Sequence, residues 1–118
     1  MSGQNREEYL ASLEDRIGYR FTNGALLVEA MTHSSYSHEY RGSKKPPCNE
    51  RLEFLGDSVL NMLAAEYLFG NFSRFAEGDL TRLRASLVCE GALFRIASDI
   101  ELGEYLLLGH GEEQGGGR

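Results

Sequence analysis

The chain has 118 residues, which is enough for one small domain and too few for two. Its net charge of −6 and its isoelectric point near 5.0 argue against a protein that holds nucleic acid by phosphate contacts alone. The polar first residues do not resemble a signal peptide, and no apolar run is long enough for a membrane span. Cys48 and Cys89 form no CxxC pair or zinc pattern, so we expect free thiols, a cytoplasmic location and no membrane partner.

Apolar residues recur with helical spacing in five segments of the chain. The predicted helices cover approximately residues 5–17, 23–31, 49–70, 77–90 and 92–100. The polar segment 33–48 ends in two prolines and is predicted as a loop with room for one helical turn. Residues 109–118 are predicted to be mobile. Because strand alternation and internal repeats are absent, the predicted fold class is all-α.

The longest predicted helix follows Asn49, which suits an N-cap. Leu, Val, Met and Ala fill most of its positions up to Gly70, a pattern that predicts a mostly buried core helix. Gly56 lies inside this helix, where glycine costs about 1 kcal/mol relative to alanine. We therefore predict that another helix approaches closely at Gly56.

The same helix carries three carboxylates, Glu50, Glu53 and Asp57, at spacings of three and four residues. Their side chains fall within an arc of about 60°. Like charges on an apolar helix repel one another, and carboxylate oxygens are the ligands that a hard cation such as Mg²⁺ takes. A solvated helix face, with pairing to Arg51, explains the same spacing. The spacing alone leaves both interpretations open.

Several segments carry a resemblance to a known family. Residues 49–58 read Asn-Glu-Arg-Leu-Glu-Phe-Leu-Gly-Asp-Ser and match, without a gap, the signature motif of the ribonuclease III family. Residues 32–36 resemble the Thr-His-x-Ser segment of that family, and residues 77–85 resemble its Glu-Gly-Asp segment. The turn region around 108–112 is also similar. The resemblance runs from about Tyr9 to the last residue.

The resemblance implies the all-α helical fold of the ribonuclease III endonuclease domain over residues 1–118. It implies hydrolysis of double-stranded RNA in RNA processing, leaving 5′-phosphate and 3′-hydroxyl ends, with Mg²⁺ as the cofactor and Mn²⁺ as a substitute. Glu53 and Asp57 match catalytic residues that form half of a four-carboxylate metal site. Glu50 and Glu77 match two further acidic positions, which we expect to shape the cleft. For Glu77, a favourable charge at a helix N-terminus is an equal alternative.

The resemblance also implies partners. Members of the family act as homodimers with one cleavage site for each RNA strand, and Phe54 matches a side chain that inserts into the partner subunit. The alternative is that Phe54 fills its own core. Lys44, Lys45 and Asn49 are predicted contacts to RNA, and the alternative for the two lysines is a solvated loop. His33 is expected to be a hydrogen-bonded structural residue.

The chain also departs from the family pattern. The other two metal carboxylates of the family lie on a helix after the glycine-rich turn, whereas this sequence ends at Arg118. We therefore expect the last helix or helices and the family's separate double-stranded RNA-binding domain to be absent from this chain. Weak or no cleavage by residues 1–118 alone follows from that expectation, together with exposed apolar surface that favours dimerisation or aggregation.

The main alternative function is a catalytically inactive module of the same fold that dimerises or docks double-stranded RNA. The presence of Glu53 and Asp57 argues against it, because a degenerate site is expected to lose such acids. A carboxylate di-iron bundle requires Glu-x-x-His pairs, and this sequence contains none.

Overall fold

The computed structural model describes residues 3–115, with side chains from Arg6 onward. The helices in chain order are α1 (Gly3–Ile17), α2 (Gly24–Ala30), α3 (Ser34–Glu39), α4 (Glu50–Asn71), α5 (Glu77–Leu87), α6 (Glu90–Asp99), a 3-10 turn (Leu102–Tyr105) and α7 (His110–Gln114). Within residues 3–115 the only strand-like pairing is an isolated bridge between Thr32 and Leu107. The predicted all-α fold class is confirmed.

Local sequence signals explain where the first helices begin and end. Gly18, at a φ of +70°, follows the end of α1 in the left-handed conformation that glycine adopts without strain. The Asn23 side chain accepts a hydrogen bond from Ala25 N at 3.1 Å and caps α2 as predicted. The polar segment 33–48 holds α3 over six residues, so its helical part is longer than one turn.

The prediction that residues 109–118 are mobile is wrong for residues 110–114, which form α7. Gly109 N donates to Ser35 Oγ at 2.9 Å, and His110 N donates to Glu39 Oε1 at 3.0 Å. These bonds dock the start of α7 on α3, a long-range contact that local sequence does not reveal. The end of the predicted mobile segment, residues 116–118, lies outside the described residues.

The hydrophobic core lies between α1, α2 and the segment that follows α6. Its buried residues are Leu10, Leu13, Leu27, Met31 and Tyr105, with Phe21, Leu102 and Leu106 packed against them. We call α1, α2 and residues 102–108 the core unit. Leu13 is 2% exposed, so this unit buries its central side chains fully.

The prediction that α4 is a mostly buried helix is wrong. Of its 22 residues only Leu68 is buried, while Phe54 is 80% exposed and Phe69 78% exposed. The physical reason is that α4 packs mainly along one side, against α5, and the rest of its circumference is open. The apolar residues of α5 are half-buried or exposed as well. We call α4 and α5 the α4–α5 arm.

The predicted close approach at Gly56 is also wrong, because a Cβ built there would meet no atom within 4 Å. The molecule measures 55 × 29 × 24 Å and has a radius of gyration of 16.9 Å. A compact domain of this length has a radius of about 13–14 Å. The elongation reflects an arm that extends from the core unit. Among the described helices, none has the length and apolar character needed to cross a membrane.

Candidate active site

The first turn of α4 is attached to the core unit through Asn49. Asn49 N donates to Thr32 O at 2.9 Å, and Asn49 Nδ2 donates to Ala30 O at 3.0 Å. Asn49 occupies the N-cap position as predicted, but its side chain makes no capping hydrogen bond because the amide is directed to α2. Its carbonyl accepts the first α4 bond, from Glu53 N at 2.8 Å.

The segment that receives Asn49 is itself fixed by hydrogen bonds. Thr32 is 1% exposed, and its Oγ1 donates to Val28 O at 2.6 Å. On its other side, Leu107 N donates to Met31 O at 2.8 Å and His33 N donates to Leu107 O at 3.0 Å. The backbone between α2 and α3 is thus held between the core unit and the start of α4.

His33 caps α3 and has a structural role, as predicted. Its Nδ1 accepts a hydrogen bond from Ser35 N at 3.1 Å and lies 2.7 Å from Ser35 Oγ. Ser35 Oγ in turn accepts from Gly109 N. The imidazole is therefore engaged in linking α3 to the start of α7.

The structure brings three of the predicted site residues together. Glu50, Glu53 and Asp57 are exposed and line one shallow depression on α4, together with Phe54 and Ser58. Within residues 3–115 none of the three carboxylates forms an ion pair, so the pairing with Arg51 is not observed. Because the carboxylates stay hydrated, no cation is needed to offset their desolvation.

Glu77 lies elsewhere. It is the first residue of α5 and lines a groove of about 490 Å³ between α4 and α5, with Glu66 and Arg84. Its place at a helix start agrees with the charge–dipole alternative. Glu66 is an acidic residue within an apolar run of α4, and it lines the same groove. It lies nine positions after Asp57, which puts it on the opposite side of α4.

The donor atoms of the depression suit a hard divalent cation in type but are few in number. Mg²⁺ is commonly held by one or two carboxylates, with water and substrate phosphate completing its shell. Glu53 and Asp57 lie four residues apart on α4 and can supply two such carboxylates. Among the described residues, however, no group of three or more His, Cys, Asp or Glu side chains could hold a metal ion.

One further predicted site residue, Phe54, lines this depression, and two others, Lys44 and Lys45, precede α4 in sequence. Phe54 lies beside the carboxylates with 80% of its side chain exposed, so the alternative that it fills its own core is wrong. Lys44 and Lys45 are exposed in the loop before α4, and in the part of the chain that the structure describes neither forms an ion pair. Both lysines are therefore accessible to a phosphate.

Comparison with known proteins identifies the class to which this fold and site belong. The Ribonuclease-III-like family model matches residues 23–118. A crystal structure of the nuclease domain of ribonuclease III from Campylobacter jejuni is similar, with 45% sequence identity and a TM-score of 0.79. The match covers 91% of this chain and 68% of that one. A second structure of that domain, which describes flexibility in a region involved in dimer formation, gives a TM-score of 0.80 at 45% identity over 90% of this chain and 69% of that one.

Curated relatives agree with the structural comparison. Ribonuclease 3 of Bacillus cytotoxicus is 49% identical over 112 residues, which are 94% of this chain and 45% of the relative. Ribonuclease 3 of Caldanaerobacter subterraneus is 51% identical over 109 residues, or 92% of this chain and 47% of the relative. The chain belongs to the ribonuclease-III-like family, as its sequence motifs indicated, and it spans about half the length of these relatives.

Proposed function

We propose that this chain is the endonuclease part of a ribonuclease III, which hydrolyses double-stranded RNA to 5′-phosphate and 3′-hydroxyl ends during RNA processing. The observation that carries the proposal is the exposed depression in which Glu50, Glu53 and Asp57 lie together on the helix that bears the family motif. Hydrated carboxylates without an ion-pair partner are accessible to both a cation and a substrate.

In this proposal Glu53 and Asp57 are the catalytic and metal-binding residues, and Mg²⁺ is the cofactor, with Mn²⁺ as a substitute. The bound cation would activate water and stabilise charge on the phosphate and the leaving oxygen. The carboxylates of Glu53 and Asp57, which lie one turn apart on α4, would hold it. Glu50 shapes the same depression, and Glu77 acts from the separate groove between α4 and α5.

The proposed substrate contacts are local because the chain as a whole carries a charge of −6. Lys44 and Lys45 are exposed and would meet phosphates. Asn49 stays a predicted RNA contact, although its side-chain amide already binds Ala30 O. A cytoplasmic location is part of the proposal. The relatives are bacterial proteins, and we expect their double-stranded RNA substrates in the cytoplasm.

We further propose that the chain acts as a homodimer through the α4 face that carries Phe54. Leu55 is 59% exposed and Val59 is 44% exposed, and helical periodicity places them about 100° and 140° around α4 from Phe54. Exposed apolar side chains on more than one side of a helix are typical of a protein–protein contact. A two-fold dimer would present one acidic depression to each strand of a duplex.

Residues 1–118 on their own are proposed to form a partial endonuclease domain with weak cleavage activity. Two carboxylates on adjacent turns would give a low-affinity cation site, because within residues 3–115 no group of three or more His, Cys, Asp or Glu side chains could hold a metal ion. Additional carboxylates from a following helix would raise that affinity.

The test is a Mg²⁺-dependent cleavage assay on double-stranded RNA. It compares this chain with a chimaera that continues into the rest of the nuclease domain of the Bacillus cytotoxicus relative, each with an Asp57→Asn variant. We expect strong activity in the chimaera, weak activity in the chain, and loss of both in the variants. Because Asn61 lies one turn further on α4, with its Nδ2 donating to Asp57 O at 2.9 Å, Asn61→Ala is the matched control.

The outcomes separate the two candidate functions. Robust cleavage by the chain alone would contradict the partial-site proposal. RNA binding without cleavage in both proteins, unchanged when Mg²⁺ is removed, would favour the inactive docking module instead. Cleavage that survives Asp57→Asn would show that the acidic depression is not the site.

A further inference from the structure

The first half of α4 has little contact with the rest of the molecule. Among residues 50–59 only Leu52 is half-buried, and every other residue is exposed. The groove between α4 and α5 is lined by residues in the far half of α4, from Met62 to Phe69. The acidic depression therefore lies on a helical segment that side-chain packing does not hold in place.

Asn49 supplies a connection at the start of this segment. It is half-buried, and three of its polar groups are engaged: its N–H with Thr32 O, its side-chain amide with Ala30 O and its carbonyl with Glu53 N. The two acceptors on the core side lie at the end of α2, next to the buried Thr32 side chain. Asn49 thus donates from both its side chain and its main chain, to two carbonyls that lie two residues apart. Together these hydrogen bonds restrict the tilt of α4 as well as the position of its first turn.

We propose that Asn49 is a positioning residue that sets the direction of α4 and thereby places Glu53 and Asp57 relative to the core unit. The inference rests on the proposed function of those carboxylates, and it gives Asn49 a role different from RNA contact. Asp57 lies eight residues beyond Asn49, about 12 Å along the helix axis. A tilt of about 10° at Asn49 would therefore move Asp57 by about 2 Å.

A displacement of this size affects the catalytic step more than the binding of RNA. Misplacement of a catalytic group by about 1 Å can lower a rate about 100-fold, whereas phosphate contacts depend on charges elsewhere on the surface. A positioning role therefore predicts a lower kcat with little change in KM. An RNA contact predicts a higher KM, with a kcat that is nearly unchanged.

The experiment measures kcat and KM for cleavage of double-stranded RNA by the full chain and by its Asn49→Ala and Asn49→Asp variants. The control is Asn71→Ala, since Asn71 is an exposed asparagine of the same helix whose Nδ2 donates to Tyr67 O at 2.8 Å. We expect kcat to fall at least about tenfold in both Asn49 variants, with KM within about threefold. The control should match the parent in both constants.

The Asn49→Asp variant tests whether α4 requires the hydrogen-bond donor of the Asn49 amide or only a polar side chain of the same size. Aspartate keeps the size of the side chain and adds a carboxylate near the acidic depression, but it cannot donate to Ala30 O when it is ionised. If Asn49 acted through its oxygen or as an extra cation ligand, this variant would retain activity. Retained activity in Asn49→Asp, or a rise in KM alone, would overturn the proposal.

Two further readouts do not require cleavage. Amide hydrogen exchange should accelerate at Glu53 in Asn49→Ala and stay unchanged at Phe72, whose N–H donates to Leu68 O at the far end of α4. Mn²⁺ added alone should broaden the amide signals of Glu53 and Asp57 equally in the parent and in Asn49→Ala, because both carboxylates lie on α4 and a change in its direction moves them together.

If the parent chain cleaves no RNA, the activity proposed for the chain alone fails, and the exchange and Mn²⁺ measurements decide the role of Asn49 separately. Equal exchange at Glu53, or a Mn²⁺ response that is weaker in Asn49→Ala than in the parent, would overturn the positioning role. No Mn²⁺ response in the parent would instead contradict the proposed metal site.

Discussion

The core unit and the α4–α5 arm bury leucines to opposite extents. Leu13 and Leu27 in the core unit are 2% and 6% exposed, whereas Leu55 and Leu63 on α4 are 59% and 52% exposed. The side chains are the same, so the difference arises from which elements surround them. In the core unit, α1, α2 and residues 102–108 enclose the leucines, while α4 is covered mainly on the side that faces α5. Apolar composition thus indicates surface that is available for burial, and the available partners determine whether it is buried.

The largest effect should come from truncating a leucine of the core unit. Leu13→Ala removes a fully enclosed side chain and should lower the free energy of unfolding by about 2–5 kcal/mol. Leu63→Ala is the matched substitution on the arm, and we expect it to cost less than about 0.5 kcal/mol in the monomer. Urea denaturation, followed by circular dichroism on dilute protein, measures both. Equal costs would show that α4 is buried in solution and would remove the contrast between the two regions.

The second-largest loss of stability should come from disturbing the docking of α7 on α3. A Cβ at Gly109 would overlap the carboxylate of Glu39 and lie 2.7 Å from Ser35 O, so Gly109→Ala should cost about 1–3 kcal/mol. Gly111→Ala adds the same methyl group in open space within α7 and should instead stabilise the helix by about 0.5–1 kcal/mol. The measurement is the thermal unfolding midpoint of each variant. A neutral Gly109→Ala variant would indicate that α7 is not docked as the structure shows.

The proposed dimer would give a function to the exposed apolar surface of the α4–α5 arm. Phe54→Ala should leave monomer stability unchanged and weaken self-association at least tenfold, or about 1.4 kcal/mol, because the side chain is exposed in one protomer. Phe94→Ala is the control, since Phe94 is 72% exposed but lies on α6. Sedimentation equilibrium gives both dissociation constants. If the two variants weaken association equally, Phe54 has no special place in the interface.

The smallest effect should come from Arg16, at the edge of the core unit. Its Nε donates to the Tyr105 hydroxyl at 3.0 Å, and it forms an ion pair with Glu101 at 2.7 Å. The hydrogen bond to Tyr105 and, second, the charge of Glu101 raise the pKa of Arg16. A raised pKa in the folded state means that this contribution is complete below the ordinary guanidinium pKa and is lost only as the pH rises through the raised value.

Arg16→Gln should therefore lower Tm slightly, and by the same amount at about pH 6 and about pH 9. The comparison is the Tm difference between variant and parent at each pH, so that titrations common to both proteins cancel. Arg82→Gln removes the exposed Arg82–Asp79 pair of α5 and serves as the control on the arm. A difference that grows between the two pH values would mean that another titrating group is coupled to Arg16.

Much of the fold followed from local sequence signals. The caps and glycines at Gly18 and Asn23, and the apolar spacing of α4, act within a few residues, so helix positions could be predicted. The docking of α7 and the exposure of α4 could not, because both depend on residues far apart in the chain. The bond between Gly109 N and Ser35 Oγ, for example, spans 74 positions.

The features of the candidate site also fall into those that local sequence predicts and those that depend on tertiary packing. The sequence by itself determined the family, the all-α class and the three carboxylates on one side of α4, since helical periodicity places residues three and four apart together. Only the tertiary structure decided that these carboxylates are exposed, that Glu77 lies in a separate groove and that the Asn49 amide binds Ala30 O. Periodicity specifies the direction of a side chain around its own helix, whereas burial and hydrogen-bond partners depend on how that helix is packed against others.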